Sequence, residues 1–136
     1  MASGLYDKGR EGFLDGSIDW DTDDIRAILI NTTNYTVNLT TDTFLSNIPS
    51  LGRVAVSSSL TAKTATAGVA DAADVTFSSV SGSVVSAIVL YKHTGTDSTA
   101  RLIAYIDSAS SGLPVTPNGG DIVVQWDNGA NRIFKL

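Results

Sequence analysis

The spacing of apolar positions changes once along this chain, close to its start. Leu5, Tyr6, Gly9, Phe13 and Leu14 recur at helical spacing, with Asp7, Lys8, Arg10 and Glu11 filling the other side. The pattern predicts one helix over residues 4–15, with Ser3 as its N-cap and Gly16 just past its end. Gly9 and Gly12 each weaken a helix interior by about 1 kcal/mol relative to alanine. Such a helix needs a surface to lie on, and its glycines permit close approach to a sheet or a neighbour.

After Gly16 the pattern shortens to strands and turns. Residues 24–31 read as a core strand. Residues 33–39 alternate in the strand manner, with Tyr35, Val37 and Leu39 on one face. Phe44, Leu45, Ile48 and Leu51 suggest a short helical turn ended at Pro49. Residues 53–59, 60–66 and 75–80 are further strand candidates, with a connection over 68–74. The strongest strand covers 86–92; with 102–107 it forms a predicted antiparallel hairpin across a polar loop. After a punctuated connection over 113–120, residues 121–126 and 132–136 are expected to pair with each other across the Asp127-Asn128-Gly129 turn signal. The last strand runs to the final residue, so that end is expected to be fixed in a sheet.

About eight strands with regularly spaced turns point to a mainly β fold, an antiparallel β-sandwich (jelly-roll-like) with one short N-terminal helix. The composition agrees. Threonine, valine, isoleucine and tyrosine suit pleated surfaces, while aspartate, asparagine, serine and glycine suit turns. The 136 residues are read as a single β domain, 1–136, long enough to bury a core without staples. Cysteine is absent, so no disulfide or thiolate metal site contributes.

The formal net charge is −5, and the basic residues are scattered from Lys8 to Lys135. Phosphate binding needs them clustered, so no nucleic-acid partner is expected. Neither is a membrane partner: no apolar run approaches a span, and residues 1–13 lack the apolar stretch of a secretory signal.

Candidate chemistry is thin. Asp15, Asp19, Asp21, Asp23 and Asp24 form the sharpest local feature. Asp19-Trp20-Asp21-Thr22-Asp23 has the spacing of a calcium loop's first half. Asp24 then stands where the tight-turn glycine belongs, and Ile30 where the bidentate glutamate belongs. A solvated turn leading into the strand at Ile25, or a contact for a basic partner, fits better. His93 is the sole histidine and is expected in an exposed loop. No Gly-x-Ser-x-Gly elbow accompanies it, and metal sites want more than one such ligand. Asp107 and Asp121 are the best pair for glycoside hydrolysis, and nothing lifts them above turn aspartates. Asn31, Asn34 and Asn38 begin glycosylation-type triplets without a secretory context. Gly119-Gly120 precedes a strand and reads as a turn. Trp20, Trp126, Tyr6, Tyr35, Tyr91 and Tyr105 suit a sugar platform or, more commonly, a core or a subunit interface. The expectation is therefore a non-enzyme with no catalytic residues, no metal and no cofactor.

The segments Leu5-Tyr6-Asp7-Lys8-Gly9-Arg10-Glu11-Gly12-Phe13-Leu14-Asp15-Gly16, Ile18-Asp19-Trp20, Thr43-Phe44-Leu45-Ser46 and Val75-Thr76-Phe77 carry a resemblance that spans nearly the whole chain. It continues at Ile103-Ala104-Tyr105-Ile106-Asp107, across Gly112 to Asp121, and at Trp126-Asp127-Asn128-Gly129. Together they resemble a family of small tailed-bacteriophage virion structural proteins. The resemblance implies a capsid decoration (cement) protein that binds the outer head lattice and stabilises the shell. The major capsid protein is then the partner. Self-association as a homotrimer would match the lattice, and the location would be the capsid surface of a virion assembled in the host cytoplasm. Leu5, Tyr6, Phe13 and Trp20 are the residues expected at the oligomer or capsid interface. The alternative is a tail or head fibre (adhesin) component binding a host glycan in an aromatic-plus-aspartate groove.

Overall fold

The computed structural model describes residues 4–107, 113–126 and 132–136. Among them are one helix, α1 (Asp7–Asp15), and nine strands. The strands are β1 (Gly4–Leu5), β2 (Ile25–Ile30), β3 (Arg53–Val56), β4 (Val69–Ala70), β5 (Val75–Phe77), β6 (Ala87–Lys92), β7 (Leu102–Ile106), β8 (Ile122–Val124) and β9 (Phe134–Lys135). The fold is mainly β, with antiparallel pairing throughout. One sheet runs β1-β7-β6-β2-β3, and two short ladders join β4 to β9 and β5 to β8.

The large sheet is covered on both faces, which explains why its central strands read as unbroken apolar runs. Alternation sorts their side chains between two cores. Ile25, Ala27, Leu29, Ile88 and Leu90 enter a cluster with Trp20, Val75, Phe77, Val80, Val85 and Trp126. Ile28, Ile30, Ala87, Val89 and Tyr91 enter the other, with Tyr6, Tyr35, Val37, Leu45 and Ile48. The first face lies beneath the short ladders, and the second beneath the connection from β2 to β3.

β7 carries a register shift opposite Leu90 and Tyr91, because Leu90 pairs with Ala104 and Tyr91 with Leu102. Ile103 is the extra residue, so Ile103 and Ala104 both face the first core. The bulge seats the N-terminus: Tyr6 N–H donates to the Ile103 carbonyl (3.0 Å), and Leu5 pairs with Ala104. The helix therefore begins at Asp7 rather than at residue 4, since Leu5 and Tyr6 are held extended at the sheet edge. Ser3, the expected N-cap, lies outside the described residues, and Tyr6 occupies that position with no side-chain cap. Gly16 does end the helix, at φ 83°.

The helix turns its glycines inward. Gly9 and Gly12 are its buried residues, while Leu14 is 89% exposed, contrary to the expected apolar face. A Cβ on Gly9 would stand 2.8 Å from the Ile103 carbonyl oxygen, so only glycine lets the helix approach this closely.

Four expectations change, the first being that residues 68–74, expected as a connection, contain β4. Residues 33–39 join no ladder, although Tyr35 and Val37 still point into the second core. They cover a sheet face instead of extending an edge, and alternation records burial rather than pairing. Residues 60–66 form no strand beyond a single bridge from Thr64 to Asp71. β8 and β9 do not pair with each other: β8 pairs with β5 and β9 with β4. Burial of Val75, Phe77 and Ala70 against the sheet outweighs the local turn signal, whose residues 127–131 lie outside those described.

Candidate functional site

The expected interface residues are distributed unevenly. Leu5, Tyr6 and Trp20 are buried in the chain's own cores, with Tyr6 at 0% exposure. The exposure expected of Tyr6 is thus corrected, because its ring plugs the second core beneath residues 35–42. For the same reason residues 4–15 are part of the fold rather than a detachable arm. Phe13 alone of the four is half-buried, packed at the edge of the first core.

Tyr6, Tyr35 and Asp42 form a buried relay. The Tyr6 and Tyr35 hydroxyls lie 2.8 Å apart, and Tyr35 donates to Asp42 Oδ2 at 2.7 Å. Tyr35 has one proton and gives it to Asp42, so Tyr6 donates to Tyr35. Asp42 also accepts from the Asn38 amide at 3.0 Å, which pins the covering loop. Burial pushes both phenol pKa values upward, Tyr35 the further of the two.

Both tryptophans are core residues, and their indoles grip one segment. Trp20 Nε1–H donates to the Asp71 carbonyl (3.2 Å), and Trp126 Nε1–H to the Ala73 carbonyl (3.1 Å). Tyr91 and Tyr105 are also buried. None of these six aromatics forms an exposed sugar platform.

The acidic turn is tied to lysines. Asp23 Oδ2 accepts from the Asp19 amide (2.8 Å) and meets Lys92 Nζ at 3.2 Å. Lys63 Nζ donates to the Asp23 carbonyl. Asp19 and Asp21 share a side-chain hydrogen bond. It lowers the Asp19 pKa and raises that of Asp21, so Asp19 keeps the charge to lower pH. Asp24 forms a two-point pair with Arg26, both contacts at 3.0 Å, which holds its carboxyl below the usual range. Among the described residues, no group of three His, Cys, Asp or Glu side chains is arranged to hold a metal ion.

His93 is half-buried at the end of β6, not loop-exposed: its amide donates to the Asp24 carbonyl, and Nδ1 lies 3.4 Å from the Tyr91 hydroxyl. It borders a cleft of about 240 Å³ with Arg26, Arg53, Tyr91 and Asp97. Both arginines there already meet carboxylates, Arg26 on Asp24 and Arg53 on Asp97 at 2.8 Å. Asp121 accepts from the Ser79 amide (3.0 Å), and Asn31 Nδ2 donates to the Val84 carbonyl (2.8 Å). These are loop fastenings.

The most distinct concavity is an open notch of about 310 Å³ beside the end of α1. Phe13, Ile18, Trp20, Ala70, Phe134 and Leu136 wall it, and Asp19 stands at its rim. The rings pack edge to face: Trp20 to Phe134 at 5.3 Å between centroids, and Phe13 to Phe134 at 5.9 Å. Phe13 and Trp20 were visible candidates in the sequence. Phe134 and Leu136 were not, because they arrive through the β4–β9 ladder that the hairpin signal concealed.

The notch holds the aromatic-plus-aspartate combination that a glycan site would need, but not its geometry. Trp20 is 5% exposed, its N–H is occupied by the Asp71 carbonyl, and among the described residues Asp19 is the only acidic or amide side chain lining the walls. A sugar ring needs a flat open face and several hydrogen-bonding groups. The class these features define is an antiparallel β scaffold with one small apolar notch. No protein-family model matches the chain, and no curated protein matches it.

Proposed function

We propose that this chain is a structural protein of a tailed-phage particle: a capsid decoration (cement) protein. It assembles as a homotrimer on the outer head lattice, contacts the major capsid protein and stabilises the shell. The residue-level resemblance supplies the family, and one observation supports a structural role. The long cations serve as staples between loops and sheet. Arg53 donates to the Leu45 and Ile48 carbonyls and to Asp97. Arg101 donates to the Lys8 carbonyl at 2.8 Å, and Lys92 to that of Ser17 at 2.7 Å. Ionisable groups are used to hold surface segments in fixed positions. A protein that must bind identically at many lattice points needs that rigidity.

The finer fold proposed is a jelly-roll-like sandwich, in which the β4–β9 and β5–β8 ladders act as the second layer over the large sheet. Their side chains Ala70, Val75 and Phe77 share a core with β2 and β6. Contact with neighbours falls to the exposed end of α1, where half-buried Phe13 and exposed Leu14 lie, rather than to Leu5, Tyr6 or Trp20.

Decoration stabilises a shell by linkage, because the ligand binds only the assembled lattice. Purified protein added to shells lacking it is expected to bind saturably and raise the temperature at which they open. Shells that neither bind it nor gain stability would refute the role.

A further inference from the structure

The notch beside α1 combines an apolar throat with a charged rim. Its walls are Phe13, Ile18, Trp20, Ala65, Ala70 and Phe134, and Asp19 is exposed at the mouth. Asp15, adjoining the lining residue Gly16, is also exposed; its carboxylate accepts from the Ser17 amide at 2.8 Å. Of the nearby cations, Lys63 donates to the Asp23 carbonyl, Lys92 to the Ser17 carbonyl and Asp23, and Arg101, whose charge acts on Asp15, to the Lys8 carbonyl, so Asp19 is the carboxylate that carries the argument. The rim therefore presents negative charge above an aromatic wall.

A long basic side chain has the complementary form: an apolar stem with a cationic head. Arginine fits better than lysine, because its guanidinium is planar, weakly hydrated and stacks on aromatic faces. We propose that this notch is a docking site for an arginine side chain of a partner protein, the stem lying along Phe13 and Phe134 and the guanidinium meeting Asp19. The volume, about 310 Å³, is at the lower limit of ligand pockets and suits one side chain rather than an extended ligand. The inference rests on the notch alone and holds whether or not the partner belongs to a phage particle.

The test varies the ligand, so that no change to the fold is needed. The intact protein is titrated with the blocked tripeptide acetyl-Gly-Arg-Gly-amide, with its citrulline counterpart, and with glucose and galactose, following backbone and ring resonances by NMR. The arginine peptide is expected to shift Phe13, Asp19, Trp20 and Phe134 saturably. The neutral citrulline isostere is expected to bind roughly fivefold more weakly, the combined value of an exposed ion pair and a cation–π contact. Added salt should narrow that difference, since the carboxylate is exposed. Asp19→Asn, checked for an unchanged amide spectrum elsewhere, should reduce the arginine preference to the part left by the cation–π contact. Equal binding of the two peptides, no saturable shift up to on the order of tens of millimolar, or saturation by a sugar at these residues would each overturn the proposal.

Discussion

At the residue scale, two glycines on one helix face different neighbours. The Cβ of an alanine at position 9 would meet the Ile103 carbonyl oxygen at 2.8 Å and its Cα at 2.9 Å, both backbone atoms in the centre of the fold. At position 12 it would meet Ile18 Cδ1 at 2.5 Å, the far end of a side chain that can rotate. Helix propensity alone makes either change favourable by about 1 kcal/mol. Overpacking against fixed backbone reverses that sign. Gly9→Ala is expected to lose about 1–3 kcal/mol, and Gly12→Ala distinctly less. Denaturant midpoints of the two variants decide the matter; a Gly9→Ala protein as stable as the parent would show that the helix does not rest on the Ile103 bulge.

At the scale of elements, the connection from β2 to β3 behaves as a cover rather than a loop. Tyr35, Val37, Leu45 and Ile48 close the second core, the Tyr6–Tyr35–Asp42 relay fixes its first half, and Arg53 fixes its second. The chain's four tyrosines (Tyr6, Tyr35, Tyr91 and Tyr105) all have phenol pKa values raised chiefly by burial. A raised folded pKa contributes stability that is fully present below the unfolded value, about 10. That stability is lost as pH rises towards the folded values, because the unfolded chain releases the protons more readily. Phenolate absorbance is therefore expected to stay low past the ordinary tyrosine pKa, then rise in one step coincident with loss of the β signal in circular dichroism. Gradual ionisation of Tyr6 and Tyr35 in a folded protein would contradict the buried relay.

Elements with strong local signals are legible in the sequence. β2, β6 and β7 stand where their apolar runs place them, and the β6–β7 hairpin pairs as expected. The turn expected to end at Pro49 appears as a 3-10 turn over Leu45–Asn47, and a second, unexpected one follows the proline at Ser50–Gly52. What stayed hidden depends on partners distant in sequence. The alternation of Tyr35 and Val37 could not distinguish a strand from a cover, since both bury every second side chain. The Asp127-Asn128-Gly129 signal is local, whereas the partners of β8 and β9 are set by core burial around β4 and β5. The notch suffers the same loss, because Phe134 and Leu136 reach its wall only through the β4–β9 pairing. The inward glycines of α1 were legible as permitting close approach, but Leu14 was misplaced, because a face made of glycine has no apolar signature.

At the scale of the molecule, the large sheet is enclosed between two cores, and its charged residues act as fastenings around the perimeter. Among the described residues no buried side-chain nitrogen or oxygen lacks a hydrogen-bond partner, and no helix is long and apolar enough to cross a membrane. A net charge of −5 opposes self-aggregation, so the proposed decoration role requires association through defined contacts. Such contacts, individually weak, gain strength when a closed oligomer meets a repeating lattice. The proposed decoration role requires a high stoichiometry, and the most direct measurement is the copy number of this protein in purified virions relative to the most abundant particle protein. A copy number of the same order as that protein's is the predicted result. A handful of copies, or none, would contradict decoration of the head.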